Sequence, residues 1–572
     1  MLRYVLVLAF VVASGRGSSV NHVRMRSKGS SSVLASTSTY STPPHTSADM
    51  VNVESWPQYL IEWRGIEPSF RMDELADALS LVLPSVQHVV LNITRVIDDS
   101  LSDLPVLGYC HLPPGDDVIR EIVRRCCTIR SVTEVWVDSF ADGRANGGVA
   151  AASVDAVDES FFDRVVLPAF VGKGENSWRV DFRRYGRGGR SGLSYLEKSE
   201  LLKGFDPIFR RLAQHPSVTE FNVNLTQSEH TFLYFEDWSA FHGAFEEKKK
   251  KKGFCIKAGQ DRRPQHILFG RVVAEGINFE HAYAVRQRPF IGTTTMDAVS
   301  AQMSANAARL MRRGEVDARV LDPFAGTCSL LIAAANLGAM CVGSDIDADT
   351  LGLGVALSRT NADAEGERAL LSRSKKNANF KRKRGDGTLF VQVGGSPVDN
   401  FEYYMLGSKL EKLTCCNVGQ WLDAEMRSQS GSGVEEHENS FDAIVTDPPF
   451  GRRERAHDPS LGLNTGKAAR GDPMGKCGDT HITLLQVAAR VLKPGARLVF
   501  WMPTDADVDV KGLRKGILGP MQHISGVDST LSFVRARRQP LHSNLARWLC
   551  VYRKIGGPPE TIVEYVVSDD DQ

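Results

Sequence analysis

Two short apolar runs, each closing on a carboxylate, limit the fold more than any other feature of this chain. They lie in "ARVLDPFAGTCSLLIAAANLGAMCVGSDID", from Ala318 to Asp347. The first run stops at Asp322 and the second at Asp345, with helical spacing from Ser329 to Leu337 between them and Gly338 as the stop. Runs this short, without polar alternation and joined through a helix, predict parallel strands covered on both faces. "KLTCCNV", "FDAIVTDPPF" and "HITLLQVAARVLKPGARLVFWMP" repeat the pattern, and "STLSFVRARRQP" and "ARWLCVYRK" close it. The C-terminal half therefore reads as an α/β domain, and a ligand belongs at the carboxyl ends of its strands.

What sits at those ends suggests the ligand. Gly326, in the turn after Asp322, lets backbone approach a bound molecule closely. Asp345 follows the glycine turn by about twenty residues, where a carboxylate can accept hydrogen bonds from two ribose hydroxyls. No G-x-G-x-x-G is present and no basic residue is placed to hold a pyrophosphate. A nucleoside without phosphates fits better than a dinucleotide, and S-adenosylmethionine is the cofactor expected.

"TDPPF" follows the fourth strand, at the same carboxyl edge, with Asp447, Pro448, Pro449 and Phe450. The amine of a nucleobase is a poor nucleophile, because its lone pair is delocalised into the ring. An acceptor carboxylate at Asp447 and the carbonyl of Pro448 can take its two N–H hydrogens and turn the lone pair out of the plane. Proline adds stiffness and no competing N–H. Phe450 offers a face for stacking, worth about 1–3 kcal/mol per base. Read alone, D-P-P-F is also a good turn; in this order after Gly326 and Asp345 it points to methyl transfer onto an amine.

At 572 residues the chain is too long for one core. Its net charge of +1 supplies no global attraction to nucleic acid, so such a partner must be met by local patches. Candidates are Arg183, Arg184, Arg187 and Arg190, interleaved with Tyr185 and glycines; two arginine-bearing insertions, at 362–395 and 451–479, read as either disordered or functional loops. The lysine run Lys248–Lys252 reads as a solvated loop. Ten cysteines, two adjacent pairs among them, show no C-x-x-C and read as small buried hydrophobes, so no metal site is expected.

Toward the N-terminus, "YLIEWR", "FRMDELADALSLVL", "VQHVVLNIT" and "DDVIREIVRRCCTIRSVTEVWVDS" alternate strand and helix in a small α+β unit. A strand, a basic loop, a helix and a hairpin over "VTEFNVNLTQSEHTFLYFEDW" are expected next. "FIGTTTMDAVSAQMSANAARLM" reads as a threonine-capped helix. "MLRYVLVLAFVVASGRGSS" reads as a signal peptide, as the first half of a two-step organelle address, or as an extension upstream of a start at Met50; its apolar run is short for a bilayer span, and no membrane segment is expected. The end, through "VSDDDQ", reads as an acidic tail.

These stretches, with "FGRVVAEG" and "DAIVTDPPFGRRE", resemble the catalytic subunit of the eukaryotic tRNA (guanine(10)-N(2))-methyltransferases, from Tyr59 to Ile555 and most strongly from Phe290 to Glu454. The resemblance implies a multidomain α+β and α/β protein: a signal-like segment at 1–50, a ferredoxin-like domain at 51–155, a THUMP RNA-binding domain at 156–288, a Rossmann-like class I methyltransferase domain at 289–555, and a tail at 556–572. It implies S-adenosylmethionine as cofactor, tRNA as substrate, a small zinc-binding activator subunit as partner, and a cytoplasmic location. By resemblance, Asp322, Phe324 and Gly326 line the cofactor, Asp345 holds its ribose, Asn417 lies near its adenine, and Asp447, Pro448, Pro449 and Phe450 hold the guanine. Cys328 stands where the family usually has a glycine, Asn417 where it has an aspartate, and Phe450 where it has a tyrosine. The rival readings are an amine methyltransferase acting on DNA adenine or protein glutamine, and a non-catalytic RNA-binding protein.

Overall fold

A computed structural model describes the chain apart from residues 1–52, 85, 99–104, 141–156, 187–192, 239–263, 265, 293–294, 311–316, 349, 353–380, 384–388, 392–394, 423–437, 450–476 and 569–572. The chain divides into two compact units, one of residues 135–271 and one of residues 50–134 with 272–572.

In the larger unit the front segment runs β1 (Gln58–Trp63), α1 (Arg71–Val82), β2 (His88–Asp98), β3 (Pro105–His111), α2 (Asp116–Arg125) and β4 (from Ile129). Its strands lie in the order β2-β3-β1-β4, with β1 antiparallel to both β3 and β4. α1 buries Met72, Leu75, Ala78 and Leu79 on the core formed with Ile61, Leu91 and Val132. Acidic residues open α2 and arginines close it, as the helix dipole favours.

The smaller unit holds β5 (Trp178–Tyr185), α3 (Tyr195–Lys203), α4 (Asp206–Gln214) and β6 (His230–Asp237). Its core is aromatic, with Phe205 stacked on Phe269 at 3.9 Å and Trp178 on Phe209 at 4.6 Å. The expected hairpin is absent: β6 pairs in parallel with β5, and Val223 makes only an isolated bridge to Trp178. The polar run after Val223 turns instead on the Asn224 side chain, which accepts from the Thr226 and Gln227 N–H groups. β7 (His266–Glu275) then carries the chain back to the larger unit.

From Arg288 the chain builds α5 (Ala298–Ala307), β8 (Arg319–Asp322), α6 (Ser329–Asn336), β9 (Met340–Asp345), a small antiparallel pair β10 (Lys381–Lys383) and β11 (Leu389–Val391), α7 (Pro397–Tyr403), β12 (Leu410–Cys415), β13 (Phe441–Thr446), α8 (Cys477–Val491), β14 (Leu492–Asp505), α9 (Gly519–Ser525), β15 (Leu531–His542) and β16 (Leu545–Lys554). The sheet order is β12-β9-β8-β13-β14-β16-β15. The first five strands are parallel; β16 runs antiparallel to β14 and β15, closing the sheet as a class I methyltransferase-like α/β domain. One core packs α5 and α6 against one face, and a second packs α8 and α9 against the other. That two-sided cover is why the strands read as unbroken apolar runs.

Two expectations need correction. The cap of α5 is Asp297, not a threonine: its carboxylate accepts from the Ser300 N–H at 2.8 Å. Residues 556–572 are not simply an acidic tail, because Ile562–Ser568 form β17, parallel to β2 from His88 to Thr94. The alternation in "IVEYVV" explains it: Val563 and Val567 pack on the front core while Glu564 and Val566 face out.

Candidate active site

Because β9, β8 and β13 are neighbours and parallel, the residues ending them share one rim. Asp322 ends β8, Asp345 ends β9, and Asp447 directly follows β13. The ends are tied together: Thr446 donates its hydroxyl to Asp322 Oδ1 at 2.6 Å, and the Phe324 N–H donates to the same oxygen at 3.0 Å. Asp322 is 1% exposed. Burial pushes its carboxyl up to about 7 against those two hydrogen bonds, and Asp345 and Asp447 push it the same way.

The glycine turn is shaped as a cradle. Gly326 has φ +48°, and a Cβ there would project into space with no heavy atom within 4 Å. Its N–H donates to Asp345 Oδ2 at 2.9 Å, and the Asp347 N–H donates to Oδ1 at 3.0 Å. Each oxygen keeps a second lone pair, so the carboxylate is held in place and can still accept from two hydroxyls. Burial raises its pKa, opposed by the same two amides. These residues fit the nucleoside of S-adenosylmethionine. Phe324 is half-buried beside them. Cys328 is fully buried at φ 63° in the left-handed region, a conformation that glycine adopts with less strain than a residue with a Cβ.

Asn417 is exposed just past β12, whose last residue pairs with Asp345. Its Oδ1 accepts from the Gly419 N–H at 2.9 Å, so part of its acceptor capacity is spent on its own turn. Pro448 is buried and Pro449 half-buried. Phe450 lies outside the described residues, as do Arg187, Arg190, the lysine run and most of both insertions. Of the arginine-loop candidates, Arg184 donates to the buried Glu236 at 2.5 Å, and Arg183 lies 3.5 Å from Asp181.

Sequence reasoning missed several residues at this rim. Thr295 Oγ accepts from the Gly292 N–H at 2.9 Å and lies 3.2 Å from the Thr327 hydroxyl, fastening the segment before α5 to the glycine turn. Arg547 in β16 brings Nη1 to 4.0 Å from Asp447 Oδ2 and Nη2 to 3.9 Å from Asp297 Oδ2. The one signal in the sequence was a cation inside an apolar run, "ARWLC".

Comparison with known proteins adds to this geometry. Residues 288–463 match a family described as RMKL-like, methyltransferase domain. The tRNA (guanine(10)-N(2))-methyltransferase TRMT11 of Bos taurus is 30% identical over 405 residues, 68% of this chain and 69% of that protein. The protein of the same name from Gallus gallus is 25% identical over 452 residues, 76% of each chain. That of Dictyostelium discoideum is 25% identical over 474 residues, 79% of this chain and 75% of that one.

Proposed function

The chain belongs to the tRNA (guanine(10)-N(2))-methyltransferase TRMT11 family, and from that premise we propose that it methylates the 2-amino group of a guanine in tRNA, at position 10. The observation that carries the proposal is the shared rim: a nucleoside cradle at Gly326 and Asp345, and an amine acceptor at Asp447, on three adjacent parallel strands. S-adenosylmethionine supplies, when bound, a methyl group on a sulfonium.

The chain's own residues do the rest. Asp345 and the Gly326 turn hold the nucleoside. Asp447 and the Pro448 carbonyl accept the two N–H hydrogens of the guanine amine and turn its lone pair out of the ring plane. Pro449 stiffens the loop, and Phe450 supplies a stacking face for a base taken out of its helix. The methylated amine is cationic and strongly acidic, so the Asp447 carboxylate can take its proton without a raised pKa.

Residues 51–155 are assigned to a ferredoxin-like domain, supported by the β-α-β-β-α-β order and the strand order of the front segment. Residues 156–288 are assigned to a THUMP domain that grips the tRNA, and 289–555 to the methyltransferase domain. A small zinc-binding activator is assigned to β12. That strand is at the sheet edge, and Tyr403 and Met405 just before it are 49% and 90% exposed. Among the described residues no helix is long and apolar enough to cross a membrane. The cytoplasm is the proposed location, tested by imaging the full chain beside one starting at Met50. The DNA, protein-glutamine and non-catalytic readings are disfavoured by the family.

Mass analysis of nucleosides from tRNA incubated with the chain, its activator and cofactor tests the activity. The expected product is N2-methylguanosine, and its absence with wild-type protein overturns the proposal. Asp447→Ala should abolish the product with cofactor binding near normal; full activity in that variant refutes the role given to Asp447.

A further inference from the structure

Arg547 is placed at the rim by more contacts than its strand requires. Only 8% of it is exposed, so its charge needs compensation. Nε donates to Gln539 Oε1 on β15 at 2.6 Å, Nη2 donates to Ser300 Oγ in the first turn of α5 at 2.9 Å, and the guanidinium lies 4.0 Å over the Trp501 ring on β14. Neutral groups thus hold it, while its charge is turned toward Asp447 and Asp297. Gln539 is oriented in turn, because its Nε2 donates to Glu67 Oε1 at 2.6 Å and its oxygen must then face Arg547. Glu67 comes from the front segment, where it sits at φ 42° before Pro68.

We propose that Arg547 is a positioning residue for methyl transfer: it keeps Asp447 ionised and aimed at the amine, in a pose set by Glu67 and Gln539. The reason is the crowding of negative charge. Asp322 lies on the strand next to β13, and Asp345 on the one beyond it. Each disfavours the charged form of a carboxylate at Asp447, and a cation on the other side offsets them. The spacing also matters. At 4.0 Å the guanidinium attracts Asp447 from beyond hydrogen-bond distance, whereas a bidentate pair would take one lone pair of each oxygen and fix the carboxylate on the arginine rather than on the amine. Burial disfavours the charged form of Arg547 itself; Asp447, Asp297 and Glu67 oppose that. The proton released in transfer still goes from the amine to Asp447, and Arg547 neither gives nor takes one.

The inference rests on the activity proposed above, and one experiment separates the two. Full-length wild type, Arg547→Gln and Arg547→Lys, each with the activator, are compared for kcat and KM on a tRNA transcript from pH 5 to 9, with cofactor affinity by calorimetry. Arg547→Gln should lose roughly 10- to 100-fold in kcat, keep cofactor affinity within about twofold, and move the acid limb of the profile up by about one pH unit. Arg547→Lys should restore the limb and only part of kcat. Ser300→Asp, which sets a competing carboxylate against Nη2 at a helix start that tolerates acid, should move the limb the same way if Arg547→Gln does not fold. An unmoved limb in Arg547→Gln, or in Ser300→Asp where that replaces it, overturns the inference and leaves Arg547 a packing residue. Lack of transfer by the wild type instead overturns the proposed activity.

Discussion

Two carboxylates in the larger unit, both essentially buried, have been given opposite surroundings. Asp77 on α1 meets three arginines from the methyltransferase domain: Arg309 Nε at 2.7 Å, Arg497 Nη1 at 3.2 Å, and both terminal nitrogens of Arg535. Glu560 balances the cluster from Arg309 and Arg497. Burial pushes the Asp77 carboxyl up, but Arg535, Arg309 and Arg497 outweigh it and hold it at about 2. Asp322 has no such company. It has a hydroxyl, one amide and two neighbouring carboxylates, and is pushed to about 7. The first arrangement welds the front segment to the catalytic domain. The second leaves acceptor capacity and negative potential at the rim proposed for the sulfonium and the amine.

The contrast breaks most directly at its two centres. Asp447→Ala, on the rim, should lower transfer by about three orders of magnitude or more with a change in melting temperature much smaller than that of Asp77→Ala, because Asp297 still faces Arg547. A large loss of stability in that variant would place the rim among the structural carboxylates instead. Asp77→Ala should do the reverse. Leaving buried arginines facing one another without their carboxylate costs about 3–5 kcal/mol, read from denaturant unfolding. Its activity per folded molecule should stay within a few-fold of wild type.

pH sharpens the comparison. The folded pKa of Asp322 lies above its unfolded value, so its contribution is fully present below about pH 4 and is lost as pH rises through about 7. That of Asp77 lies below its unfolded value, so its contribution is present above about pH 4 and lost only as pH falls toward 2. Between pH 4.5 and 7.5 the cofactor-free protein should therefore lose stability with rising pH on account of Asp322, by at most about 4 kcal/mol. Asp322→Asn should flatten that slope in denaturant titrations, though not wholly, since burial also raises Glu67 and Asp345. An unchanged slope would mean that Asp322 is ionised normally. The smallest effect is expected outside both regions. Arg120 pairs with Asp116 and Asp117 on the outer face of α2, and Arg120→Ala should move melting by about 1 °C or less.

Local chemistry made part of this legible. β8, the Gly326 turn, α6 and β9 follow from apolar runs, one left-handed glycine and a stop at Gly338, all within thirty residues. The hairpin misread after Val223 shows the limit, since two β-rich stretches do not say whether they pair with each other. β17 was hidden for the same reason: its register depends on β2, more than 450 positions earlier. Arg547 and Glu67 were missed because a cation in a strand and an acid before a proline have no periodicity to betray them.

Sequence by itself determined which residues end each strand, because strand length, turn and helix start are set by neighbours along the chain. It also determined the chemistry available there: carboxylates, a stiff proline pair and an open glycine. Only the tertiary structure decided that β9, β8 and β13 lie side by side, which puts Asp345, Asp322 and Asp447 on one rim. It also decided that Arg547 faces the last of them, with Glu67 behind it. The physical reason is that pairing between strands and the pairing of buried charges are settled by contacts remote in sequence, where no local preference can choose the partner.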